Sequence, residues 1–165
     1  MKLITLLFLC CFYAAYSSAQ SSLTDVYEAH TFPCDKESTT LEINICSGAK
    51  AEFADSLLNK LYRKILKSLD KDILKDKTIL NGKKAGNKQA DKDEVSFLLK
   101  NIDHNQRLKE TIINSQRQWI KLRDANIEVE RINCEGGTAC VAMVNEAYIE
   151  ETLDRIKKLE SFYNE

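Results

Sequence analysis

Beyond its first nineteen residues the sequence lacks any apolar run long enough to cross a bilayer, so no stable membrane insertion is expected once a leader is removed. It lacks C-x-x-C spacing, and His30 and His104 keep no ligand rhythm with the cysteines. That pattern argues against zinc, and no metal or cofactor is expected. The surroundings of a hydrolytic centre are missing as well. A serine nucleophile needs a histidine base and an orienting acid, and neither histidine sits in such a motif. Carboxylate pairs such as Glu150 and Asp154 are present, but acids at i, i+4 on a charged helix read as solvated. No catalytic residue is assigned, and an enzyme is not expected. The basic stretch 63–100 holds 11 Lys/Arg against 6 Asp/Glu, with no aromatics interleaved among Lys83, Lys84, Lys88 and Lys92. That excludes the usual nucleic-acid footprint and leaves a solvated charged segment. No strand pattern and no internal repeat is found.

What is there begins with a leader. Lys2 supplies the positive start, Leu3 to Tyr13 are almost wholly apolar, and Ser17-Ser18-Ala19 places small residues at −3 and −1. Residues 1–19 therefore read as a signal peptide, cleaved near Ala19, which points to a periplasmic or secreted protein. Cys10 and Cys11 raise a lipid anchor, but Leu7-Phe8-Leu9 lacks the small residues expected before a lipidated cysteine. Removing Lys2 with the leader leaves 23 basic residues against 25 acidic ones. Four cysteines remain, Cys34, Cys46, Cys134 and Cys140, an even count that favours two disulfides in an exported chain. Of three possible pairings we favour Cys34–Cys46 and Cys134–Cys140.

Residues 20–33 are polar and mixed and read as a flexible arm, followed by a single domain over 34–165. Thr39-Thr40-Leu41-Glu42 has the form of a capping box. Cys46, Ala49, Phe53, Leu57, Leu61, Ile65 and Leu69 then recur every three or four residues, predicting a helix to about Leu74. Asn81-Gly82 and Gly86-Asn87 mark a connection. Asp91 and Glu94 offer a second cap for a helix from about Lys92 to about Arg131, with a break expected in the polar patch Asp103-His104-Asn105-Gln106. Cys134-Glu135-Gly136-Gly137-Thr138-Ala139-Cys140 reads as a tight turn whose two glycines can take positive φ. A third helix follows, from about Val141 to Phe162. The fold class is all-α, an antiparallel bundle of three main helices with two disulfides.

The chain's one tryptophan shares a helix face with Gln116, Arg123 and Asn126, at i, i+3, i+7 and i+10 from Gln116. An indole is normally mostly buried, and a buried amide or guanidinium beside it needs partners. Asp55, Asn59 and Tyr62 lie on one face of the first helix. A structural polar network of Asp55, Asn59, Tyr62, Gln116, Trp119 and Arg123 is therefore expected. Trp119 with Arg123 could instead form a binding hot spot.

Several of these segments together carry a resemblance. They are Thr40-Leu41-Glu42-Ile43-Asn44-Ile45-Cys46, Ala54-Asp55-Ser56-Leu57-Leu58-Asn59-Lys60-Leu61-Tyr62, Gln116-Arg117-Gln118-Trp119-Ile120-Lys121-Leu122-Arg123-Asp124-Ala125, the Gly136-Gly137 turn, and Thr152-Leu153-Asp154-Arg155-Ile156. In that order they resemble the exported bacterial family of LprI-type lysozyme inhibitors, over about Cys34 to Phe162. Many members carry a cysteine just after the Arg-Asp pair and another in the last helix. Here Asn126 stands at the first place and no cysteine follows Cys140, so the second bridge would be rearranged to Cys134–Cys140. The resemblance implies inhibition of a lysozyme-type muramidase outside the cytoplasm. The alternative is an interaction or immunity module that neutralises another secreted protein. The turn is the candidate contact: Glu128, Glu130 and Glu135 form an acidic rim suited to a cationic partner, and Gly136, Gly137 and Thr138 offer backbone N–H groups and a hydroxyl.

Overall fold

The computed structural model describes residues 22–32, 34, 36, 39–85 and 91–163. The leader read over residues 1–19 lies outside the described residues, as do Lys88 and the Gly86-Asn87 pair. Four helices are present among the described residues: α1 (Leu23–Glu28), α2 (Thr40–Ala85), α3 (Lys92–Asn133) and α4 (Cys140–Tyr163). No strand is found among them. None of these helices is long and apolar enough to cross a membrane.

Helix α2 starts at a completed capping box. The Thr39 N–H donates to Glu42 Oε2 at 3.0 Å, and the Glu42 N–H donates back to Thr39 Oγ1 at 3.3 Å. The helix runs past the expected end at Leu74 to Ala85. Leu80 explains the extension: it is buried with Ile73, Leu98 and Ile102, so the last turns have a partner helix to pack on. Gly82 sits in open space on that helix, where it costs propensity but obstructs nothing. Asp91 caps α3 by accepting from the Asp93 N–H at 3.0 Å. Glu94 does not complete that cap; it pairs across the hairpin with Lys83 at 2.6 Å. No break occurs at residues 103–106. Ile102 is buried just before the patch, and Asp103 and Arg107 form an i, i+4 pair at 2.9 Å along it, so the polar residues lie on the exposed side of a continuous helix.

The lengths of the helices set the shape. At 1.5 Å per residue, the 46 residues of α2 span roughly 69 Å, and the 24 of α4 roughly 36 Å. Helix α4 runs alongside the first half of α2 and ends level with Lys64, whose Nζ lies 5.3 Å from the Tyr163 ring centroid. The result is a three-helix body that continues into a two-helix arm made of the far ends of α2 and α3. The body's core joins Leu57, Leu58, Leu61, Ile65, Ile112, Ile156 and Leu159, with Ala51, Ala54 and Ile149 behind it.

The polar stretch before Cys34, expected as a flexible arm, carries α1 and is docked. Ser22 and Asp25 close a capping box. Glu160 of α4 accepts from Ser22 Oγ at 2.6 Å and from the Leu23 N–H at 2.8 Å. Tyr27, His30 and Phe32 gather on Phe53, with His30 stacked 4.1 Å from it. The Cys34–Cys46 disulfide then ties this segment to α2, and Cys134–Cys140 closes the turn between α3 and α4. Both pairings are those favoured from the sequence.

Candidate functional site

Two places gather the residues singled out in the sequence: the middle of the body and the α3–α4 turn. In the body, Arg123 of α3 lies between two rings. Its guanidinium carbon is 4.9 Å from the Trp119 centroid and 4.3 Å from that of Tyr148 on α4. Nη1 donates to the Tyr148 hydroxyl at 2.8 Å, and that hydroxyl donates to Asp55 Oδ1 on α2 at 3.0 Å. Arg123 and Asp55 themselves stand 3.7 Å apart. Asn59 donates to the other Asp55 oxygen at 2.6 Å, and Asp124 accepts from Arg123 Nε and Nη2. Three helices are thereby linked through one hydroxyl. Burial pushes the Tyr148 phenol above its ordinary pKa; Arg123 opposes the shift and Asp55 adds to it.

Gln116 joins a different partner from the one expected. Asp55, Asn59 and Tyr62 of α2 form no hydrogen bond with it. Arg155 of α4, 7% exposed, donates through Nε to Gln116 Oε1 at 2.9 Å and through Nη2 to Ser115 Oγ at 3.0 Å. Its guanidinium also lies 5.7 Å from the Trp119 ring. These hydrogen-bond partners are neutral, and burial lowers its pKa. Tyr62 packs against the core. Asn126 turns outward and donates to Glu151 at 2.7 Å. The sequence reading assigned neither Tyr148 nor Arg155 to the polar network. The signal was a phenol and a guanidinium seven residues apart on the α4 face that carries Thr152 and Leu159.

The turn is built tightly. The Glu135 N–H donates to the Ile132 carbonyl at 3.3 Å, Gly137 to Cys134 at 2.9 Å, and Cys140 to Gly137 at 3.2 Å. Gly136 has φ 78°, where a side chain is strained. A Cβ on Gly137 would lie 3.0 Å from the Cys134 carbonyl oxygen. Each glycine therefore has its own reason to be glycine. Residues 135–139 are all exposed. The Gly137 N–H, expected to be available, is used inside the turn; those of Gly136, Thr138 and Ala139 have no backbone partner among the described residues. Glu135 is exposed within the loop, Glu128 is paired with Arg131, and Glu130 is turned into a groove between α3 and α4. Val129, Ile132, Val141 and Met143 are each more than half exposed in the helical turns beside the loop.

Comparison with known proteins gives a family and nothing narrower. The family model described as lysozyme inhibitor LprI matches residues 34–159, and the chain belongs to that family. No curated protein and no solved structure matches it.

Proposed function

We propose that this member of the LprI family is exported, carries out no reaction of its own, and binds a lysozyme-like cell-wall hydrolase, blocking its cleft with the Cys134–Cys140 loop. The leader over residues 1–19 and a single domain over 34–165 belong to the same reading. The observation that carries it is the loop itself. It stands at the end of the body, is exposed over residues 135–139, and is closed by a disulfide. A loop already fixed loses less entropy on docking. Glycosidase clefts of this class work with a pair of carboxylates, so a blocking tip should present hydrogen-bond donors. Gly136, Thr138 and Ala139 supply unpartnered N–H groups there. The exposed Val129, Ile132, Val141 and Met143 add apolar contact area around the tip.

The test is lysis of a bacterial cell-wall suspension by a C-type lysozyme, followed by turbidity. Micromolar protein is expected to slow clearing. Replacing Glu135, Gly137 and Thr138 together is expected to abolish the effect while the far-ultraviolet circular dichroism stays helical. Unchanged inhibition by that variant removes the loop from the mechanism. No slowing by the unaltered protein removes lysozyme as the target.

A further inference from the structure

Between α3 and α4 lies a groove of about 400 Å³, lined by residues of these two helices alone. Its apolar lining is Ile127, Val129 and Ala147; its polar lining is Asn126, Glu130, Glu150, Glu151 and Asp154. Four carboxylates and no lysine or arginine line this concavity. Between α2 and α3 two carboxylates do meet a cation across the interface, Asp70 with Lys109 at 2.6 Å and Glu94 with Lys83. In the groove only Asp154 meets a cation, Lys157, one turn on at 3.2 Å and exposed. Glu130 and Glu150 form no ion pair among the described residues. Glu151 is held by the Asn126 amide, so one wall is fixed in place. Ile127 is buried as the floor, whereas Val129 is 55% exposed at the lip.

We infer that this groove seats an arginine or lysine side chain projecting from the surface of the protein partner. The chemistry matches in both halves. Such a side chain has an aliphatic stem that lies well on Ile127, Val129 and Ala147, and a cationic head that needs carboxylates. The alternative occupants fit less well: a bare cation leaves the apolar floor unused, and an apolar side chain desolvates the carboxylates without pairing them. The groove opens between the last turns of α3 and the middle of α4, so it continues from the Cys134–Cys140 loop along one side of the body. A basic partner held at the loop brings its flank over the groove. This inference rests on the proposed function for the identity of the partner, though not for the chemistry of the occupant.

Two measurements separate the claims. In the first, a cationic C-type lysozyme is titrated calorimetrically into the full chain and into a Glu150→Gln/Glu151→Gln variant. The variant is expected to bind about tenfold more weakly, with a shallower dependence on salt. Equal affinity and equal salt dependence overturn the groove while leaving the inhibitor reading intact. In the second, arginine amide is titrated into nitrogen-15-labelled protein. Saturable shifts of the Asn126 side-chain amide and of the Val129 and Ala147 backbone, lost in the variant, support the groove even if no lysozyme binds. Absence of those shifts in the unaltered protein overturns it. A chain that binds arginine amide in the groove but no lysozyme refutes the proposed target alone.

Discussion

The three-helix body and the two-helix arm share α2 and α3, yet they are held by different means. In the body, α4 closes over α2 and α3, and Leu58, Thr152, Ile156 and Leu159 are at most 2% exposed. In the arm no third helix is present among the described residues. Its core is Ile73, Leu80, Leu98 and Ile102, each 5–8% exposed, flanked by the exposed Leu74, Phe97 and Leu99. One charge pair stitches it, Lys83 to Glu94, and such a surface pair is worth little. The periodicity along the sequence is similar in both halves. The difference shows that α4 decides where a ridge of leucine and isoleucine becomes a core, so stability should be concentrated at the end that carries the loop and the groove.

The strongest way to break that contrast is to cut one methyl-rich side chain from each half. Ile156→Ala in the body is expected to cost about 2–5 kcal/mol in urea denaturation. Leu80→Ala in the arm should lower global stability much less. Hydrogen exchange should instead show residues 73–85 and 92–102 opening below the global free energy, and opening more readily in the Leu80 variant. Equal global losses from the two substitutions would mean that arm and body fold as one unit.

Arg155 sharpens the comparison, because the arm contains no buried charge of this kind among the described residues. Arg155→Ala removes a guanidinium that Gln116 and Ser115 depend on and leaves the Gln116 oxygen buried and unpaired. The expected cost is about 2–3 kcal/mol. The double variant Arg155→Met/Gln116→Leu replaces both partners with apolar groups and should lie within about 1 kcal/mol of the unaltered chain. A double variant as unstable as the single one would mean that the guanidinium does more than satisfy its neighbours. Thr152 gives a smaller effect of opposite sign. It is 0% exposed and its hydroxyl has no hydrogen-bond partner among the described residues. Thr152→Val keeps the shape and removes the unpaired group, with an expected gain of about 1 kcal/mol in the same denaturation experiment.

Much of the fold could be read before the structure, and the failures have physical causes. Apolar spacing placed the three main helices, and the cystine pairing followed. The end of α2 was set too early because Asn81-Gly82 looks like a stop. A helix tolerates such a pair when the next turn back, at Leu80, is paid by packing on Leu98. The segment before Cys34 looked unstructured because six residues are too few for a periodic signal; its one local cue was the Ser22…Asp25 cap. The polar network was half legible. Trp119, Arg123 and Gln116 stood out as a polar-aromatic face, but their partners were sought on α2 and several lie on α4. Sequence periodicity tells which face is buried, not which neighbour will be there. The groove was illegible for a related reason. Glu150 and Asp154 looked solvated on their own helix, and only the approach of α3, with Asn126 and Glu130, turns that face into a concavity.

The finest test of the contrast uses pH. Tyr148 joins α2, α3 and α4 through its hydroxyl, and the arm has no counterpart among the described residues. Burial holds its pKa in the folded chain above the ordinary 10.0. In the unfolded chain the phenol returns to that ordinary value and ionises first. Above pH 10 the unfolded state therefore binds fewer protons than the folded one, and stability falls as pH rises. The contribution is complete below pH 10 and is lost as pH climbs through the raised value. The quantity to read is the difference from Tyr148→Phe, which lacks the ionising group. The phenylalanine variant should be less stable at neutral pH, because Asp55 and Arg123 lose their shared partner. Its stability should then fall less steeply than that of the unaltered chain between pH 10 and 11. Parallel pH profiles would mean that Tyr148 titrates as it does in water, and that the bridge between the three helices does not hold its proton.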